Sequence, residues 1–292
     1  MRVFRAVAEC GGFSAAATAL GASQPFVSQT VQRLEARLGV ALIDRTTRTQ
    51  RLTAEGERYL AAARAAVEAV DLADAALQEE AGRIAGTLRV SAPLAFGLDR
   101  VTPLLAPFLE RHPHVDLRLL LTDDAVDLIE ARVDVAVRMG RLADSALACR
   151  RLCGLQRVVV AAPALLERHG RPAVPADLAR LPVLCWDGAR EHLNRWPFRV
   201  DGEPWTFHAE GRFRSNEGMS LFAMCTSGFG AMRCAEHLAR PAIRTGALVP
   251  LLEDFAAPDD GAVYAVFHPH RTLLPRVRAF LDHLAGAFGQ EW

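Results

Sequence analysis

The chain contains no lysine: its 34 basic residues are all arginine, matched by 34 acidic ones, so the formal net charge is zero. A uniformly basic coat for nucleic acid is thereby excluded, while a local basic face is not. No apolar run approaches the roughly 20 residues that a membrane-spanning helix needs, and with few aromatics and ordinary charge the composition is that of a globular protein without membrane segments. The first residues, MRVFRAVAECGGFSAAA, carry Glu9 and lack the apolar core of a secretory leader, which predicts a cytoplasmic protein. There is no fixed-period repeat and no low-complexity segment. The G-x-S-x-G elbow, the phosphate-binding Walker loop and H-E-x-x-H are all missing, so an enzyme is not expected. The nine histidines are scattered without ligand spacing or a carboxylate set, so neither a metal nor a cofactor is expected.

Six cysteines stand at 10, 149, 153, 185, 225 and 234. In the cytoplasm they read as reduced, mostly buried thiols, and the C-x₃-C pair Cys149/Cys153 has no second pair to complete a zinc site. A thiol switch on Cys149, Cys153, Cys225 or Cys234 remains an alternative.

What is present points to about two domains in 292 residues. Residues 1–58 hold eight arginines against five acids, with Arg45, Arg48 and Arg51 in one short loop. Val3, Phe4, Val7 and Ala8 mark one face of a helix ending at Gly11-Gly12. Ser14 is the expected cap of a second helix, Ala15 to Leu20, stopped by Gly21. Ser23 caps a third, with Pro25 in its first turn, running to Leu38 before Gly39. Val27, Val31, Leu34 and Leu38 form its inner face, and Ser28, Gln29, Gln32 and Arg33 its outer one. Two short helices across a tight turn, the second polar outward, make a helix-turn-helix. Its amides and hydroxyls suit base edges and its arginines suit phosphate. LIDRTTRTQRLT then reads as a two-stranded wing whose arginines suit a narrow minor groove.

From Thr53 a helix of about 28 residues, roughly 40 Å long, is predicted. Leu60, Ala63, Val67, Val70, Leu77 and Ala81 repeat at steps of three and four, a stripe with nothing local to bury against; pairing with a second copy is the economical reading. After the hinge glycines Gly82 and Gly86, strands and helices alternate in an α/β pattern that can form two lobes. Strands are expected at Thr87–Ala92, Val115–Leu121, Asp134–Arg138, Val158–Ala161 and Val263–Phe267. Helices are expected at Gly97–Arg111, Ala125–Arg132, Glu217–Thr226 and Leu274–Phe288.

The stretch FSAAATALGASQPFVSQTVQRLEARLGVALIDRTTRTQRLTAEG, Phe13 to Gly56, resembles the DNA-binding motif of LysR-type transcriptional regulators nearly position by position. SAPLAFG (Ser91–Gly97), DVAVRMG (Asp134–Gly140) and SGFG (Ser227–Gly230) extend the resemblance over the chain. It implies a winged helix-turn-helix over 1–58, a linker and dimerisation helix with hinge over 59–85, and a two-lobed, periplasmic-binding-protein-like α/β effector domain over 86–292. Lobe I would be 86–161 and 265–292, and lobe II 162–264. Matching positions imply a major-groove set of Ser23, Gln24, Pro25, Ser28, Gln29, Gln32 and Arg33. The wing and phosphate set is Arg45, Thr46, Thr47, Arg48 and Arg51. Phe26 departs from the Ala, Ser or Thr usual in the family, and the first helix starts later than usual, which implies a native start upstream.

The implied partners are a double-stranded DNA operator, a second copy of the chain in a dimer or tetramer, and a small effector between the lobes, with RNA polymerase as a further contact. Ser91, Pro93, Phe96 and Gly97, at a helix start with free N–H groups, face Ser215 and Asn216 before another helix. With Arg138 they predict a carboxylate or other anion as ligand. Helix capping by Ser91 and Ser215, an Arg138 pair with Asp134 or Asp144, and core roles for Trp186 and Trp205 are the plainer alternatives. A solute receptor would share the lobes but not residues 1–81.

Overall fold

The computed structural model describes residues 1–45, 50–80, 83–124, 126–129, 131–140, 142, 145–259 and 261–289, in two units, Met1–Gly82 and Arg83–Trp292. In the first unit α1 (Arg2–Cys10), α2 (Phe13–Leu20) and α3 (Gln24–Leu38) precede an antiparallel pair, β1 (Ile43–Arg45) and β2 (Gln50–Leu52), and α4 (Ala54–Glu80) follows. Each of the first three helices ends on a glycine in the left-handed region: Gly11, Gly21 and Gly39, at φ 74°, 61° and 72°. Glycine alone enters that region without steric cost, so the helix lengths are written into the sequence. Ser23 caps α3, its Oγ accepting the Phe26 N–H at 3.4 Å.

Ser14 does not cap α2. That helix starts at Phe13, because the Gly12 carbonyl already accepts the Ala16 N–H and Phe13 is drawn into the core. The core joins Phe4, Val7, Ala16, Val27, Val31, Leu34 and Leu42 to Leu60 of α4. Leu38, expected on the inner face of α3, is exposed at the helix end. At the start of α4 the Thr53 Oγ accepts the Gly56 N–H at 2.9 Å. A Cβ at Gly56 would lie 2.1 Å from the Leu42 carbonyl oxygen, so only glycine lets the approach to the wing pack on this turn.

The apolar stripe of α4 divides. Leu60, Ala63 and Val67 are buried within the chain itself, while Val70 is half exposed. α4 lies against α1 through a T-shaped contact of Phe4 with Tyr59 and an ion pair of Arg64 with Glu9 at 3.3 Å. The expectation that the whole stripe lacks a local partner therefore fails for its first half. Leu77 and Ala81 give side chains outside the described residues.

The second unit holds β3 (Ala85–Ala92), α5 (Leu94–Phe96), a π-helical turn (Gly97–Val101), α6 (Thr102–Arg111), β4 (His114–Leu121), β5 (Val135–Gly140), β6 (Ala148–Gly154) and β7 (Arg157–Ala161). Next come α7 (Pro163–His169), β8 (Leu184–Trp186), β9 (Arg195–Val200), β10 (Glu203–His208), β11 (Phe213–Ser215) and α8 (Gly218–Thr226). The unit ends with β12 (Met232–Ala235), α9 (Glu236–Arg244), β13 (Val249–Leu251), β14 (Ala262–Phe267) and α10 (Pro275–Phe288). One lobe is built on a five-stranded sheet in the order β4-β3-β5-β14-β6, the other on β12-β7-β13 with the pairs β8·β11 and β9·β10. β3 runs parallel to β4 and β5, so the loops after these three strands emerge at one end of the sheet.

Pairing moves both lobe crossings. β7 pairs with β12 and β13, which puts Arg157–Ala161 in the second lobe, and all of β14 pairs with β5 and β6 in the first. The chain thus crosses before β7 and again before β14, rather than near Ala161 and Tyr264–Val266. The helix expected over Ala125–Arg132 is a turn at its described residues. The Asp127 side chain accepts the Ile129 N–H at 2.7 Å, and Arg132 in the left-handed region at φ 55° ends the single helical turn. Helix formation after β3 starts at Leu94, three residues before Gly97.

Candidate functional site

On α3, Ser23, Gln24, Pro25, Gln29, Gln32 and Arg33 are exposed and Ser28 is half-buried, opposite Val27 and Val31, which are wholly buried. Six of the seven residues expected in the major groove thus stand free on one surface. Phe26 joins them, 56% exposed. A bare aromatic on a face of amides and hydroxyls has no packing role, and an apolar side chain can read a thymine methyl. On the wing Arg51 is exposed and Arg45 closes β1, while Thr46, Thr47 and Arg48 lie outside the described residues. Glu35 ties α3 to the start of the β1·β2 pair, accepting the N–H groups of Leu42 and Ile43 at 2.8 and 3.1 Å.

In the second unit a cleft of about 710 Å³ opens between the lobes. Pro93, Phe96 and Arg138 line it, and so do Asp123, Trp186, Arg190, Arg233 and His237. Ser91 does not reach it, being fully buried within β3 between β4 and β5. Gly97 is buried under Leu121: a Cβ there would sit 2.2 Å from a Leu121 methyl, so its glycine serves close packing. Ser215 accepts the Glu217 N–H at 3.2 Å beside the cleft, and Asn216 points to solvent. Glu217 is the true cap of α8, its carboxylate taking the N–H groups of Met219 and Ser220.

Arg138 makes no pair with Asp134. That carboxylate, 3% exposed, accepts the Arg89 N–H at 2.8 Å and lies 3.1 Å from Arg271, while Asp144 lies outside the described residues. The Arg138 guanidinium donates to the Val126 carbonyl at 2.8 Å. Burial, and then the charge of Arg190, pull its pKa below the usual arginine value. Trp186 packs against a core cluster of the second lobe, as expected, and also forms part of the cleft wall, with Arg190 over its ring at 5.3 Å; Trp205 packs against the other core cluster of that lobe. Among the described lining residues the cleft holds four arginines against three aspartates, Arg157 and Arg233 being paired with Asp259 at 2.9 and 2.8 Å.

Cys149 and Cys153 lie four positions apart on one strand, ~13 Å at strand rise and beyond disulfide reach. Burial pushes the Cys225 thiol up to about 12 and raises Cys234 as well, which suppresses the reactive thiolate.

Two family models match the chain: the bacterial regulatory helix-turn-helix protein, lysR family, over residues 1–57, and the LysR substrate binding domain over residues 81–289. The chain belongs to the LysR family. It is 35% identical to the HTH-type transcriptional regulator PtxR of Pseudomonas aeruginosa, over 99% of this chain and 92% of that protein. To the regulator CrgA of Neisseria meningitidis it is 33% identical, over 99% and 96% of the two chains. The solved structure of CrgA, described as a LysR-type transcriptional regulator, covers 99% of this chain and 97% of its own, with a TM-score of 0.65. Full-length AphB, the Vibrio cholerae virulence activator, matches with 25% identity, a TM-score of 0.63 and 97% of each chain covered. These relatives are regulators rather than enzymes, and the expected architecture of a helix-turn-helix with a two-lobed effector-binding domain holds. This LysR protein is a DNA-binding transcriptional regulator.

Sequence reasoning missed Asp123, Arg190 and His237 among the residues that line the cleft between the lobes. Asp123 carried a signal, since it follows the carboxyl end of a parallel strand, where ligand-facing loops of α/β sheets gather. Arg190 and His237 had none: a short 3₁₀ turn and a helix start bring them to the cleft from distant sequence.

Proposed function

We propose that this LysR regulator reads its operator with the exposed face of α3, through Ser23, Gln24, Pro25, Ser28, Gln29, Gln32 and Arg33, and with the wing residues Arg45, Thr46, Thr47, Arg48 and Arg51. Two or four copies act together, joined through the linker helix, in the cytoplasm; RNA polymerase is the partner through which occupancy reaches transcription. A small anionic effector, a carboxylate by preference, binds between the lobes and changes how the subunits hold DNA. The observation that carries the effector reading is Arg138: a guanidinium on the cleft wall that donates to a main-chain carbonyl and, among the described residues, meets no carboxylate. Such a charge, partly out of water beside a second arginine, gains most from an incoming anion.

Of the effector residues expected from the sequence, Pro93, Phe96 and Arg138 fit this reading by lining the cleft, while Ser91, Gly97, Ser215 and Asn216 are not among its lining residues. Thermal denaturation of the full chain with a panel of carboxylates and their matched neutral amides tests the reading. A ligand at a hundred times its Kd should add about 2.7 kcal/mol of stability. The expected result is a shift with an acid, none with its amide, and loss of the shift in Arg138→Ala. Equal shifts with acid and amide would overturn the anionic effector.

A further inference from the structure

Two helix starts at the cleft, those of α5 and α8, are already met by carboxylates of this chain. Asp123, in the loop after β4, accepts the Leu94 N–H through Oδ1 at 3.3 Å and the Gly218 N–H through Oδ2 at 3.0 Å. The same Oδ1 lies 3.3 Å from Arg190 Nη2, and the main-chain carbonyl of Asp123 accepts Arg190 Nε at 2.9 Å. Its side chain is 6% exposed. Leu94 belongs to the first lobe, Gly218 and Arg190 to the second, so this one carboxylate spans both. A ligand anion held between two lobes would need the same donors: two main-chain N–H groups and a guanidinium. Arg138 stands apart. It is close enough to Arg190 to feel its charge, yet among the described residues it has no carboxylate partner.

The geometry points to Asp123 as the specificity-determining residue of the cleft: its carboxylate occupies the anion position between Leu94, Gly218 and Arg190, leaving Arg138 to hold a single anionic group of the ligand. This rests on the anionic effector reading. A ligand with two anionic groups meets Asp123 with its second one. It must then tolerate a like charge in a partly dry site, or displace a carboxylate whose release strips Arg190 of its counter-ion and leaves two N–H groups unmet. Monoanions are accepted and dianions refused.

Calorimetric titration of the full chain at constant ionic strength tests this, with benzoate, phthalate and inorganic sulfate as probes. The wild type is expected to bind benzoate at least tenfold more tightly than phthalate and to show no sulfate binding. Asp123→Ala frees the donors and is expected to gain sulfate binding and to tighten phthalate at least tenfold; adding Arg190→Ala to it should erase both gains. Asp123→Asn keeps the shape and drops the charge, and a smaller gain in the same direction is expected. It decides the matter if the alanine variant does not fold. A folded Asp123 variant without any gain for sulfate or phthalate, or a wild type that binds phthalate as tightly as benzoate, would overturn the assignment. Failure of the anionic effector reading looks different: the wild type then binds no benzoate and Arg138→Ala changes nothing, while Asp123→Ala still acquires sulfate.

Discussion

The carboxylate of Glu35 receives the Leu42 N–H at 2.8 Å, with Ile43 sharing the same oxygen at 3.1 Å. One side chain thus closes the passage from α3 to β1, holding the last residue before the strand and the first residue of the β1·β2 ladder. Glu35→Ala leaves two partly buried donors without an acceptor, at a cost of about 1–3 kcal/mol. Hydrogen exchange should register it as a loss of protection at the Leu42 and Ile43 amides. Glu35→Gln retains a carbonyl oxygen in the same place and should keep most of it. Equal protection in wild type and Glu35→Ala would show that the wing is held by other contacts.

The two halves of the proposed DNA-reading surface should separate by variant. Gln29→Ala, on the exposed face of α3, should cost about 1–3 kcal/mol of discrimination at one base pair and leave non-specific affinity alone. Arg51→Ala on the wing should weaken binding on every sequence and lower the salt slope by about one unit. Fluorescence anisotropy on cognate and scrambled duplexes across a salt series measures both. A uniform loss in Gln29→Ala would place that residue on phosphate instead.

A second cross-lobe contact predicts a pH dependence. His237 Nδ1 lies 3.0 Å from Asp99, and the Phe96 ring meets the imidazole edge to face at 5.2 Å. Burial lowers the His237 pKa below 6.5, outweighing the hydrogen bond and charge of Asp99, with Arg100 and Arg240 adding to the depression. The folded state therefore favours neutral imidazole. Its contribution is present above pH 6.5 and falls as the pH drops through that value, because the unfolded chain takes up the proton first. The urea midpoint of the full chain should fall between pH 7.5 and 5.5, and more shallowly in His237→Gln. An unchanged slope in that variant would assign the dependence to another group.

Local rules in the sequence determined the DNA-reading unit almost completely. Glycines at 11, 21 and 39 end helices wherever they fall, Ser23 caps because its hydroxyl is three residues from a free N–H, and the 3.6-residue period sorts Val27 and Val31 from Gln29 and Arg33. These forces act over a few residues, so a linear string carries them. The cleft was decided at long range. Asp123 meets Gly218 across 95 positions and Asp99 meets His237 across 138, and no periodicity in either segment encodes such a meeting. Only strand pairing could place Arg157–Ala161 in the second lobe, and only packing could bury the first half of the α4 stripe within the chain itself. The sequence alone predicted an anion site at two helix starts. The tertiary structure put a carboxylate of the chain there first, because a buried N–H left without an acceptor costs more than a loop bent to supply one.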